Sequence, residues 1–218
     1  MLDLRLLGGR LFGTGNALLL CQTAAMFGVL FLLPLYLQDL RGVSPMQAGL
    51  VLMPQAVSML AVTQVISRVY GRVGPKRLLL AGFAVQLCVA VALQLVGAGS
   101  SLWFLVGLLV VQGAAMGLLM TPLQTATFAR IEPAQMGHAS SMFNVSRQVA
   151  TALGTAIVAT VLVVVTSHEM STVERSVPGQ VVAAQMAGYH GAFLTAVLFA
   201  LLGLVLTTRV RDADAAPT

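Results

Sequence analysis

The chain has 218 residues, 58% of them hydrophobic and 9% charged, with a mean hydropathy of +0.92, a formal net charge of +5 and an isoelectric point near 10.0. So little polar material cannot coat a water-soluble globule of this size, which excludes that class. The basic balance gives no support to nucleic-acid binding, because the cations are scattered through short connectors and form no run or patch.

Six long apolar stretches, at residues 11–38, 47–66, 78–98, 102–128, 139–165 and 192–207, carry almost no charge between them. A bilayer core takes about 20 apolar residues as a helix, so the pattern predicts an all-α integral membrane protein of six transmembrane helices in a lipid bilayer. Residues 1–10 read as an interfacial lead-in, 11–208 as the bundle and 209–218 as a polar tail. The lead-in lacks the short apolar core and cleavage site of a signal peptide, and no cleavage is expected.

The first stretch carries Asn16, Gln22 and Thr23, with Pro34 near its end. The second carries Gln55, Ser58, Thr63 and Gln64, and contains Pro54. The third has only Gln86 and Gln94 as strong hydrogen-bonding side chains and is expected to face lipid. The fourth carries Gln112, Thr121, Gln124 and Thr125, contains Pro122, and places Gly113 and Gly117 one turn apart. Prolines inside helices are expected to kink or end them.

In the fifth stretch Asn144, Arg147, Gln148, Thr151 and Thr155 follow i, i+3, i+4, i+7 and i+11, which sets them on one helical face. The sixth has Thr195 and a Thr207-Thr208 end, and is also expected to face lipid. Polar groups in hydrocarbon are costly unless satisfied, so the first, second, fourth and fifth helices should face protein or a wet cavity. The candidate substrate-cavity residues are therefore Asn144, Arg147, Gln148, Thr151 and Thr155, with Gln124, Gln55 and Gln22. Bonding from helix to helix is the competing role for such residues. Gly113, Gly117 and Gly154, the last paired with Ala150, read as packing positions.

Arg147 is the one formal charge well inside a stretch, and no Asp or Glu lies inside any of the six. Counted from His138 it sits about 13 Å along its helix, within reach of snorkelling to the interface, so a cavity role and a snorkelling role both stay open. Of the other eleven cations, nine fall on the side of the termini and two, Arg41 and Arg175, on the other. By the positive-inside rule both termini are cytoplasmic, and residues 167–190 form the one sizeable outside loop.

An offset of 88 aligns Pro34-Leu35 with Pro122-Leu123 and S-P-M-Q-A-G (from Ser44) with E-P-A-Q-M-G (from Glu132). Shared helix-start chemistry is one explanation. The other is a duplicated triplet, at about 11–98 and 102–208, whose two copies are inverted about an axis in the membrane plane. Cys21 and Cys88 lie inside apolar stretches, and no metal-ligand or disulfide spacing is present. His138, His168 and His190 sit at or beyond stretch ends, so an intramembrane hydrolase lacks a buried base. Neither catalytic residues nor a metal or cofactor are expected. The half-helix motifs and acidic rings of channels are absent too.

R-V-Y-G-R-V-G-P-K-R (Arg68 to Arg77) resembles the second-half copy of the loop motif G-x-x-x-D-R-x-G-R-R, with Arg72, Gly74, Lys76 and Arg77 matching. L-P-L-Y-L-Q from Leu33, L-M-P-Q-A from Leu52, T-P-L-Q-T from Thr121 and N-V-S-R-Q-V-A-T-A-L-G-T-A from Asn144 follow in the same order. Together they resemble the C-terminal six-helix half of the major facilitator superfamily, most closely the fourteen-spanner drug:proton antiporters.

The resemblance implies a cell-membrane exporter of hydrophobic, often cationic, small molecules, driven by proton entry through alternating access. It also implies an N-terminal transporter half as partner, in the same or a separate chain. In that family the first half carries the antiporter motif and the proton-exchanging carboxylates. Here Ser67 and Gly71 replace the loop motif's first glycine and its aspartate, so a turn and basic anchor survive but a charge relay does not. A non-transporting module docked on another half is the alternative.

Overall fold

The computed structural model describes residues 10–97, 99–128, 131, 135–173 and 177–209, with side chains from residue 13 onward. The lead-in, Arg130, Arg175, the Glu132-Pro133 start of the second repeat motif and the tail from residue 210 lie outside the described residues. Six helices follow in order: α1 (Arg10–Asp39), α2 (Pro45–Val73), α3 (Pro75–Leu93), α4 (Leu102–Phe128), α5 (Met136–Thr172) and α6 (Pro178–Thr207). All six are long and apolar enough to cross a membrane, and the described residues contain no strand.

Local chemistry sets the boundaries. Ser44 caps α2: its hydroxyl accepts from the Gln47 amide N–H at 3.3 Å while the Gln47 side chain accepts from the Ser44 N–H at 3.2 Å, and Pro45 occupies the first turn. At the other end Gly74 takes a φ of +83°, which favours glycine, and Pro75 opens α3 directly after it. The expected loop motif is therefore not a loop. Arg72 lies in the last turn of α2 and Lys76 and Arg77 in the first turn of α3, leaving Gly74 as the whole break.

The expected outside loop at 167–190 is corrected in the same way. α5 runs on to Thr172 and α6 starts at Pro178. Ser167, Ser171 and Thr172 donate to the carbonyls of Val164, His168 and Glu169, so the helix itself satisfies the hydroxyls that looked like loop composition. Pro34, Pro54 and Pro122 all lie within helices and end none of them.

Packing pairs the two triplets. α2 packs on α4 as α5 packs on α1, and α3 packs on α4 as α6 packs on α1. Exchanging α1, α2 and α3 for α4, α5 and α6 thus maps these interfaces onto one another, as an inverted repeat requires. The correspondence breaks at α5 and α6, which pack along each other, whereas α2 and α3 barely touch beyond Gly74.

α3 and α6 each combine an exposed apolar side, with Val91 on α3 and Leu194, Leu198, Leu201, Leu202 and Val205 on α6, as their composition leads one to expect, with a closely packed side that it does not announce. Gln86 is 1% exposed, Thr195 and Thr207 are buried, and α3 packs directly on α6, where Phe83 meets Gly203. Few polar groups made these helices look peripheral, yet close contact depends on shape, which residue polarity does not report. The most exposed helices are α2 and α5: 11% and 17% of their apolar windows are buried, against 61% for α1.

One end of the bundle is tied by polar contacts. The Tyr36 hydroxyl donates to the Gly97 carbonyl at 2.7 Å, and Tyr189 donates to the Asp39 carboxylate at 3.1 Å, with the two rings edge to face. His190 bonds the Val96 carbonyl, and Gln94 donates to the His190 carbonyl. These contacts join α1, α6 and the segment after α3.

Candidate functional site

Away from that tied end, α1, α4 and α5 enclose a cleft of about 240 Å³. Its polar wall is Gln22 and Thr23 from α1, Gln124 from α4, and Arg147, Gln148 and Thr151 from α5. Helical spacing explains the set. Gln22 and Thr23 share a face of α1, and residues 147, 148 and 151 repeat one turn apart on α5. The apolar wall includes Met26, Phe27, Met120 and Phe143.

Hydrogen bonds along α5 hold the polar stripe in place. Asn144 donates to the Ser140 carbonyl at 3.1 Å, Arg147 donates to the Asn144 side-chain oxygen at 3.4 Å, and Thr151 donates to the Arg147 carbonyl at 2.9 Å. Gln22 is buried, with its amide nitrogen 3.9 Å from the Met26 sulfur. An adjoining open depression of about 460 Å³ shares Gln124 and Phe143 with the cleft and adds Thr125, Ser140 and Asn144.

Of the eight residues singled out from the sequence, Gln22, Gln124, Arg147, Gln148 and Thr151 line the one cleft, and Asn144 lines the depression beside it. Thr155 and Gln55 line neither. Gln55 is buried between α2 and α4, where its amide reaches the Met116 sulfur at 3.2 Å. Gly113 and Gly117 face the α2 backbone: a side chain at Gly117 would sit 2.9 Å from the Met59 carbonyl, and one at Gly113 would meet the Gln55 carbonyl. Gly154 lies against Ala24 of α1.

Sequence reasoning missed the apolar lining. The signal was present, since Met26 follows Gln22 and Met120 precedes Gln124 by four residues and so shares the face of its glutamine. Among the described residues no group of histidine, cysteine or carboxylate side chains is placed to hold a metal. The cleft offers hydrogen-bonding and apolar surface, with the Arg147 guanidinium as the formal charge among its described lining residues.

The family model described as Major Facilitator Superfamily matches residues 5–155, which include every residue of the cleft wall. The lincomycin resistance protein LmrB of Listeria monocytogenes is 28% identical over 213 residues, covering 98% of this chain and 45% of its own length. The riboflavin transporter RibZ of Clostridioides difficile is 31% identical over 71% of this chain and 34% of its own length. A multidrug resistance protein B homolog of Mycobacterium tuberculosis is 28% identical over 77% of this chain and 32% of its own. The chain thus spans less than half the length of the relatives it matches.

Proposed function

Because the chain belongs to the major facilitator superfamily, a family of membrane transporters rather than enzymes, we propose that it forms one six-helix half of a proton-driven exporter of hydrophobic small molecules. The observation that carries this reading is the cleft itself. Three helices converge hydrogen-bonding side chains on one space inside an otherwise apolar bundle, a costly arrangement in a membrane unless a ligand or water uses it. Drug-resistance relatives support export of hydrophobic molecules as the direction of transport.

Alternating access needs a second wall, and the open side of the cleft offers room for one. α2 and α5 expose apolar rows at helical spacing, Met46, Leu50, Met53 and Val57 on one and Val145, Val149 and Leu153 on the other. A second half seated there would bury both rows. Proton coupling belongs to that half: the described carboxylates, Asp39 and Glu169, lie near helix ends, and the described cleft wall carries a guanidinium where a proton carrier would need a carboxylate. The exposed rows equally favour docking without transport, which is the second reading.

For orientation, the cluster of Arg68, Arg72, Lys76, Arg77 and Arg209 at one end of the bundle supports a cytoplasmic placement of that end and of both termini in the cell membrane. The functional reading is tested by resistance in an efflux-deficient bacterium. The chain alone should give none, and the chain supplied with a matching first half should give some. No resistance from the pair, with both halves inserted, favours the non-transporting module.

A further inference from the structure

The charge of the cleft specifies what it can hold. Among the described residues Arg147 is its only ionised side chain, and the described carboxylates are remote: Asp39 lies about 25 Å further along α1 than Gln22, and Glu169 about 33 Å further along α5 than Arg147, at 1.5 Å per residue. Asp39 is moreover bonded to Tyr189. A cation entering this space meets a like charge and, among the described residues, no compensating anion.

An anion meets complementary chemistry. Among the described residues the Arg147 guanidinium has one hydrogen-bond partner, the Asn144 oxygen at a long 3.4 Å, and its planar fork fits a carboxylate or sulfonate. The amides of Gln22 and Gln148 add neutral donors, and Met26, Phe27 and Met120 supply a soft apolar surface. About 240 Å³ accommodates a one- or two-ring body, less than the span of typical drug-sized pockets.

We infer that this cleft takes an amphiphilic organic anion, its apolar body against Met26, Phe27 and Met120 and its anionic group on Arg147. This rests on the cleft being the substrate wall proposed above. It departs from the cationic substrates that the sequence resemblance implies, and it assigns any cation-binding carboxylate to the other half.

The test is binding to the full chain in nanodiscs of neutral lipid, with empty nanodiscs as blank, using 2-naphthoate, 2-naphthamide and 2-naphthyltrimethylammonium as probes of one apolar body. Naphthoate should bind about tenfold or more tightly than the ammonium, as expected for a charge-assisted hydrogen bond. Arg147→Gln should remove that preference and leave naphthamide unchanged, while Arg68→Gln, at an exposed cation on α2, should preserve it. Equal or tighter binding of the ammonium, or an anion preference that survives Arg147→Gln, overturns the inference. If the anion preference fails while naphthamide binds and Gln22→Leu weakens it, the cleft stands and only the anion assignment falls. If no probe binds, the cleft reading falls with it.

Discussion

Among the described residues Arg147 has one partner for its guanidinium, Asn144 on its own helix, and it lines the cleft beside Gln148 and Thr151. A snorkelling arginine needs only a long cation, whereas a wall arginine uses a planar fork that lysine's ammonium lacks. In the complete transporter, Arg147→Lys and Arg147→Ala should both lower efflux about tenfold, the scale of one charge-assisted bond, while inserted protein stays near normal. Normal efflux in the lysine variant would return Arg147 to an interfacial role. The α5 stripe was legible because helical spacing alone puts residues 144, 147, 148 and 151 on one face. Gln55 was not, because the sequence does not say that its face of α2 meets Met116 of α4 instead of open space. Met26 and Phe27 were hidden for another reason: an apolar side chain in a membrane helix reads the same whether it faces lipid, protein or ligand.

At the scale of elements, the α2–α4 interface depends on two glycines that let the backbones approach. Gly113→Leu or Gly117→Leu should push α2 away and lower the yield of folded protein, as overpacking costs about 1–3 kcal/mol. Gly107→Leu, on the same helix with nothing within 4 Å, is the control and should be tolerated. Equal yields for all three would remove these glycines from the packing account. Helix number and order were readable from apolar length, and α4 begins and ends where its apolar stretch does. Helix ends elsewhere were not. α2, α5 and α6 extend past their apolar stretches: Ser67 of α2 and Ser167 and Ser171 of α5 bond back to carbonyls of their own helices, and α6 starts at Pro178, a residue suited to a first helical turn. The Tyr189 to Asp39 bond joins residues 150 apart in sequence, so no local pattern announces it. Tyr189→Phe keeps the ring against Tyr36 and loses only that bond. It should lower stability by about 0.5–1.5 kcal/mol, read as a fall in the thermal midpoint of the detergent-solubilised chain; an unchanged midpoint would show that the tie contributes nothing.

At the scale of the whole molecule, the charge distribution is what supports the proposed topology. In a variant without Cys21 and Cys88, cysteine at exposed Ser171 should react with an impermeant maleimide from outside, and cysteine at exposed Gly71 only after permeabilisation. The reverse pattern would invert the orientation proposed here. The packing of α3 on α6 was not legible in the sequence, since it depends on which helices meet rather than on what each contains. What remains exposed, the apolar rows of α2 and α5 and the open side of the cleft, defines the central claim that this chain supplies one wall of a two-walled transporter. The most direct measurement is proton-driven transport in proteoliposomes under an imposed pH gradient, with the purified chain reconstituted alone and together with a matching first half. The account predicts no pH-driven movement of a hydrophobic substrate by the chain alone and measurable movement by the pair, abolished by Arg147→Ala. Proton-coupled transport by the chain alone would contradict it.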